Sequence, residues 1–240
     1  MLAQDYTPDR LSRAKLAISK LVDKLKDDRI GLVVFAGTSF VQLPITTDYV
    51  SAKMFLNTID TRSVPVQGTA IGEAMMTAAR SFSAQSERSR AIIVITDGEN
   101  HEDDAVAVAT RAKEMGIKII VVGIGKPEGA PIPIPGTNDF RKDRQGNVVV
   151  SRLNEDMCRE IAQAGNGIYV RCDNTNTAMR TLEKELDTLA TAELETQVFT
   201  DYNEQFQTFA LLALLVLIID FFIFNRKNKS LTRINIFERS

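Results

Sequence analysis

An open, doubly wound, mostly parallel α/β sheet with helices on both faces, followed by one C-terminal transmembrane helix, is the architecture this sequence predicts. Three observations predict it. Residues 29–36 (RIGLVVFA), 89–96 (SRAIIVIT) and 117–124 (IKIIVVGI) are nearly continuous apolar runs, the mark of strands buried on both faces. Helical segments alternate with them, as cover on both sides of a sheet requires. Residues 206–224 read FQTFALLALLVLIIDFFIF, and no comparable run exists elsewhere in the chain.

The elements follow in order. Residues 8–26 carry one apolar stripe at helical spacing (Leu11, Ala14, Ile18, Leu21, Val22, Leu25), entered through Thr7-Pro8 as cap and first-turn proline. The first strand run turns at Gly37-Thr38 into SFVQLPIT, a second strand antiparallel to it, in which Pro44 demands a sheet edge. Short helices are expected over 47–59 and, after the Gln67-Gly68 loop, over 69–82. Beyond the strand 89–96 and the loop DGENHEDD, residues 103–115 read as an alanine-rich helix closed by Gly116. The strand 117–124 leads into 126–146, which holds most of the prolines and several glycines and reads as an irregular insertion, with a short strand at 147–151. A helix over 154–164, a strand over 167–171 and a helix from 175 to about 189 complete the domain. No internal repeat or low-complexity tract is visible.

Composition excludes several classes. The 240 residues are 44% apolar and 25% charged, an ordinary globular mix. A net charge of −2 gives no electrostatic reason to bind nucleic acid. Two cysteines support neither a disulfide framework nor a multi-cysteine zinc site. The expected organisation is a domain over 1–192, a juxtamembrane linker over 193–205, a membrane helix over 206–224 and a basic tail over 225–240. Nineteen residues of helix span about 28 Å, close to a hydrocarbon core of about 30 Å. Asp220 lies near the end of that run, where its cost falls below the roughly 2.5–3.5 kcal/mol of a helix centre. Arg226, Lys227, Lys229, Arg233 and Arg239 follow the run, whereas 185–205 holds six acids and no Lys or Arg. The positive-inside rule then puts the tail in the cytoplasm and the domain on the outer side. MLAQDYTPDR has neither the charged nor the apolar region of a signal peptide, so export is expected to depend on residues upstream of Met1.

Ligands of open α/β sheets bind beyond the carboxyl ends of the strands. Two loops there carry oxygen donors: Thr69 after Gly68, and Asp97 before Gly98. A hydroxyl and a carboxylate at neighbouring strand ends suit a hard cation such as Mg2+. Helix capping by Thr69 and a simple turn at Asp97-Gly98 are the bland alternatives. Glu99, Glu102, Asp103 and Asp104 read as a helix N-terminal charge effect. His101 reads as a solvated loop residue, and Gly123-Ile124-Gly125 as a strand exit, since prolines rather than a helix follow it. Cys158 and Cys172 read as free buried thiols.

The segments DRIGLVVFAG, PVQGTAIGEAM and AIIVITDGEN, in this order, resemble a von Willebrand factor A (VWA) domain. The C-terminal helix narrows the resemblance to the membrane-anchored bacterial aerotolerance type, BatA/BatB-like. The resemblance implies a metal-ion-dependent adhesion site (MIDAS) in which Thr69 and Asp97 help to hold a divalent cation, Mg2+ or alternatively Mn2+ or Ca2+. An acidic side chain of a protein partner completes its coordination. It also implies a binding module rather than an enzyme, seated on the periplasmic side of the inner membrane. Its implied associates are other VWA proteins, tetratricopeptide-repeat proteins and an AAA-type ATPase system, in an envelope complex related to aerotolerance.

The family's first strand, central in its sheet and ending in Asp-x-Ser-x-Ser, has no counterpart here; Asp5 and Asp9 belong to the helix approach. Three expectations follow from that. The cation site is weak or lost in this chain. The sheet lacks its central strand, which leaves main-chain groups of the two neighbouring strands unpaired at about 1–3 kcal/mol for each that stays buried. An upstream extension or a neighbouring chain supplies the strand. Alternative functions are a metal-independent scaffold with a degenerate site, or a metal-dependent hydrolase.

Overall fold

The computed structural model describes residues 1–83, 89–99, 103–137, 139–173, 177–200 and 206–224, with side chains of the last two stretches described over 178–189 and 210–219. The chain divides into two compact units, Met1–Glu193 and Leu194–Ser240.

In the first unit, helix α1 (Arg10–Val22) starts where the Asp9 carboxylate accepts a hydrogen bond from the Ser12 amide at 2.7 Å. Asp9, rather than Thr7, is therefore the cap. Strands β1 (Ile30–Phe35) and β2 (Ser39–Thr46) form the expected antiparallel hairpin. Pro44 is exposed on β2, which pairs with β1 alone among the described strands and so tolerates a missing N–H. Helices α2 (Tyr49–Thr58) and α3 (Ile71–Ser81) lead to β3 (Arg90–Thr96), α4 (Ala105–Glu114) and β4 (Ile117–Gly123). An arm follows, closed at its base by β5 (Ala130–Pro131) and β6 (Val150–Ser151). Helix α5 (Glu155–Ala164), β7 (Tyr169–Arg171) and α6 (Thr177–Thr200) complete the succession, α6 continuing through 193–200, where the sequence suggests a linker.

Strands β3, β4 and β7 are parallel, with β4 in the middle. Alternation along β4 divides its side chains between two cores. Ile117, Ile119 and Val121 pack with Met75 of α3, Ala109 of α4 and Ile161 of α5. Ile120 and Val122 pack on the other face with Ala14 and Leu21 of α1 and Leu182 of α6. Helices thus cover both faces, as the apolar runs demand.

The sheet is divided. β1–β2 and β3–β4–β7 share no ladder, and a cavity of about 600 Å³ lies between them, lined by Leu32 and Val34 of β1 and by Ile93 and Ile95 of β3. This division corrects the expectation of strands buried on both faces. β4 is buried except at Lys118, but no residue of β1 is fully buried and β3 alternates, because each of these two borders the cavity. The insertion 126–146 differs too: residues 130–151 form a small ladder. The Ile132 amide donates to the Val149 carbonyl, Val149 to Arg141, and Arg141 back to Ile132, at 3.4, 2.8 and 2.8 Å.

In the second unit, α7 (Phe206–Phe224) is a continuous 19-residue helix. Leu211, Leu212, Leu214, Leu215, Val216 and Leu217 are all exposed. Side chains are described for ten of its residues, about 15 Å of helix, and among the described residues no helix is long and apolar enough to cross a membrane. The tail 225–240 and His101 lie outside the described residues.

Candidate functional site

Thr69 and Asp97 belong to loops at the carboxyl ends of β1 and β3, the two strands that border the cavity, and both line it. The Thr69 loop is bound to the end of β1: the Gly37 amide donates to Val66 O at 3.0 Å and the Ala70 amide to Ala36 O at 2.7 Å. Helix α3 takes Ala70 as its N-cap with no side-chain hydrogen bond, so the Thr69 hydroxyl is not spent on capping. Instead, Asp103 reaches the start of α3 from the α4 loop and accepts from the Glu73 amide at 2.8 Å.

Asp97 follows β3 directly. Thr96 Oγ1 accepts from the Gly98 amide at 3.0 Å, which sets the turn. Gly98 has φ +75°, and a Cβ there would meet Asn154 O at 2.5 Å and Cys158 Sγ at 2.8 Å. Only glycine fits both constraints.

The Asp97 carboxylate, 12% exposed, accepts from Arg10 Nη1 at 3.1 Å through Oδ2. The amino group of Met1 lies 3.8 Å from the same oxygen. Arg10 itself is fully buried. It pairs with Asp5 through Nε at 2.9 Å and Nη2 at 2.8 Å, and donates to Ser151 Oγ at 2.7 Å and Ser151 O at 3.0 Å. Burial alone would raise the Asp5 carboxyl. The hydrogen bonds from Arg10 and from the Lys126 amide, with the charge of Arg10, bring it below its ordinary value. Arg10 is correspondingly raised: burial opposes its charge, and Asp5 and Asp97 more than offset that. Burial, with Asp97 and Glu155 nearby, pushes the Cys158 thiol up to about 12, which removes it as a nucleophile near neutral pH.

Three of the four acids near the loop have structural duties: Asp103 accepts from the Glu73 amide at 2.8 Å, while Asp104 caps α4 by accepting from Ala107 and Glu99 accepts from the Arg152 amide, both at 3.0 Å. Glu102 lies outside the described residues. Asp5 and Asp9 are occupied by Arg10 and by the α1 cap. Among the described residues, no group of three or more His, Cys, Asp or Glu is placed to hold a metal ion. The donor chemistry fits two oxygen ligands of a hard cation, Thr69 and Asp97, with Asp97 Oδ1 clear of the bond to Arg10; the remaining positions would fall to water or to a partner.

Sequence reasoning missed Arg10, Asp5 and Ser151. The available signal was register: Arg10 stands four residues before Ala14 and eleven before Leu21, on the buried stripe of α1. A cation on an apolar stripe needs a buried acceptor.

The model of the von Willebrand factor type A domain matches residues 3–139. An aerotolerance-related membrane protein from Bacteroides fragilis is 58% identical with a TM-score of 0.76, over 78% of this chain and 93% of that one. BatB from Bacteroides thetaiotaomicron is 59% identical with a TM-score of 0.77, over 80% and 93%. Among curated proteins, an uncharacterised protein of Borreliella burgdorferi is 25% identical, over 91% of this chain and 63% of its own length. A UPF0353 protein of Mycolicibacterium paratuberculosis is 28% identical, over 56% and 46%. The chain thus spans about half to two thirds of these curated relatives. Proximal thread matrix protein 1 of the mussel byssus, in a structure with a zinc-occupied MIDAS motif, shares the fold alone, at 15% identity and a TM-score of 0.51.

Proposed function

Because the chain belongs to the von Willebrand factor type A domain family, we propose that it is a membrane-anchored protein-interaction module rather than an enzyme. Its partner surface is the carboxyl edge of the sheet, where Thr69 and Asp97 hold a divalent cation. One observation carries this reading: both residues line one cavity, Asp97 directly after β3 and Thr69 in the loop before α3 that is bonded to the end of β1, and the Thr69 hydroxyl is left out of helix capping. Oxygen donors favour Mg2+ over softer metals, with Mn2+ and Ca2+ as alternatives. The cation, when bound, supplies a charge on which a partner carboxylate docks. The zinc in the MIDAS of the mussel protein is a precedent within the fold.

Helix α7 is the anchor, with the first unit on the periplasmic side and the tail in the cytoplasm of a bacterial inner membrane. The apolar, exposed side chains of 211–219 support it, as does the description of the Bacteroides fragilis relative as a membrane protein. Other VWA and tetratricopeptide-repeat proteins and an AAA-type ATPase are the proposed associates in an aerotolerance-related complex.

The test is calorimetric titration of the full chain with Mg2+. Saturable uptake that falls at least about tenfold in both Thr69→Ala and Asp97→Ala is expected, since each removes one of few ligands. Uptake unchanged in both variants would sink the proposal. The ion pair of Asp97 with Arg10 favours a second reading, a metal-independent scaffold in which a guanidinium already balances the carboxylate. Partner binding that persists in EDTA and in Thr69→Ala would select it.

A further inference from the structure

Arg10 carries five guanidinium hydrogens, and each has an acceptor. Nε and Nη2 meet the Asp5 carboxylate at 2.9 and 2.8 Å, Nη2 also meets Ser151 O at 3.0 Å, and Nη1 meets both Ser151 Oγ at 2.7 Å and Asp97 Oδ2 at 3.1 Å. These acceptors come from three parts of the chain: the segment before α1, the end of β3, and the base of the arm 130–151. Both feet of the arm are involved. Asp5 Oδ2 accepts from the Lys126 amide at 2.8 Å on the entering side. On the leaving side, Asp97 O accepts from the Asn154 amide at 2.9 Å and Glu99 from the Arg152 amide at 3.0 Å. Gly125 packs against the guanidinium so closely that a Cβ would lie 2.9 Å from Arg10 Cζ. Ile132 and Arg141 of the arm line the same cavity as Thr69 and Asp97.

We infer that Arg10 is a positioning residue for Asp97 that also ties the arm to it, so that a cation engaging Asp97 and the setting of the arm are coupled through one guanidinium. The inference rests on the reading of Thr69 and Asp97 as a cation site. Its physical basis is the absence of slack: with every donor used, a cation that draws Asp97 cannot leave the bonds to Ser151 and Asp5 unchanged. The planar fork is needed for this. A lysine ammonium has the charge but only three donors and no fixed plane.

The experiment follows amide hydrogen exchange at Lys126 and Arg152, the two feet of the arm, in the full chain with and without Mg2+, beside a calorimetric Mg2+ titration. In the wild type, saturating Mg2+ is expected to change exchange at both feet about fivefold or more, the lower end of ordinary coupling. Arg10→Lys retains both proposed ligands and still takes up Mg2+, but its feet no longer respond. A response that persists in Arg10→Lys overturns the inference, as does Mg2+ uptake by the wild type with no response at the feet. Should Arg10→Lys fail to fold, Ser151→Ala, which removes one acceptor only, must show a diminished response, and an undiminished one overturns the inference. Should the wild type take up no Mg2+, the cation reading fails by itself. Asp97→Asn then tests the tie without metal: faster exchange at both feet supports it, and unchanged exchange refutes it.

Discussion

The network around Arg10 concentrates the chain's most demanding residue-level requirements. A fully buried guanidinium is tolerated only because Asp5 and Asp97 compensate it. The Asp5 carboxyl is held below its ordinary value by the folded structure. The stability it contributes is therefore complete above the unfolded carboxylate range, near 3.8, and is lost as pH falls through the lower folded value. Asp5→Asn is expected to be less stable than the wild type at neutral pH, with the gap closing below about pH 4, as read by urea denaturation across pH. Gly98 shows a steric requirement. Alanine there combines a positive φ with contacts under 3 Å to Asn154 O and Cys158 Sγ. Gly98→Ala is expected to cost about 1–3 kcal/mol and to lower the melting temperature even without any cation. The resemblance made Thr69 and Asp97 visible: Asp97 closes an apolar run, but Thr69 follows the loop residue Gly68, and spacing alone leaves a helix cap and a simple turn as sufficient readings. Ser151 was invisible: 141 residues separate it from Arg10 in the chain, and no local pattern encodes their contact.

At the scale of elements, the helices expected over 47–59, 103–115 and 154–164 form as α2, α4 and α5. Their caps, Asp48, Asp104 and Asn154, each accept from the amide three residues on. The hairpin β1–β2 follows from two apolar segments and a short turn. The arm was misread because prolines and glycines signal irregularity, whereas here a three-way exchange of amides among Ile132, Arg141 and Val149 restores order. Ladder position also sets local stability. β4 is hydrogen-bonded on both sides and buried on both faces, while β1, among the described strands, is paired only with β2 and borders the cavity. Amides of Ile120 and Val121 are expected to exchange among the slowest in the chain, and those of β1 at least about tenfold faster, measured by native-state hydrogen exchange.

For the molecule as a whole, two features bear on where and how it acts. A cavity of about 600 Å³ separates two halves of the sheet, and Thr69 and Asp97 are among the residues that line it. Helix α7 presents a run of exposed leucine, valine and isoleucine side chains to its surroundings. Exposed apolar surface of that kind calls for a nonaqueous partner. The full chain is expected to sediment with membranes and to resist alkaline carbonate, and deletion of 206–224 to release it; a full chain that stays in the soluble fraction would refute the anchor.

The sequence by itself determined the layered α/β class, the order of helices and strands, the family and the two loops that carry Thr69 and Asp97. The class and the order of elements follow from periodicity and apolar runs, which are local in the chain; the family and the choice of Thr69 and Asp97 follow from the resemblance of three short segments to VWA domains. A sheet without its central strand is already expected from the resemblance; only the tertiary structure decided that Arg10 lies buried against Asp97 and that the arm is held at both feet. Those depend on contacts between distant residues, where the balance of burial against hydrogen bonding is settled by neighbours that no window of sequence contains.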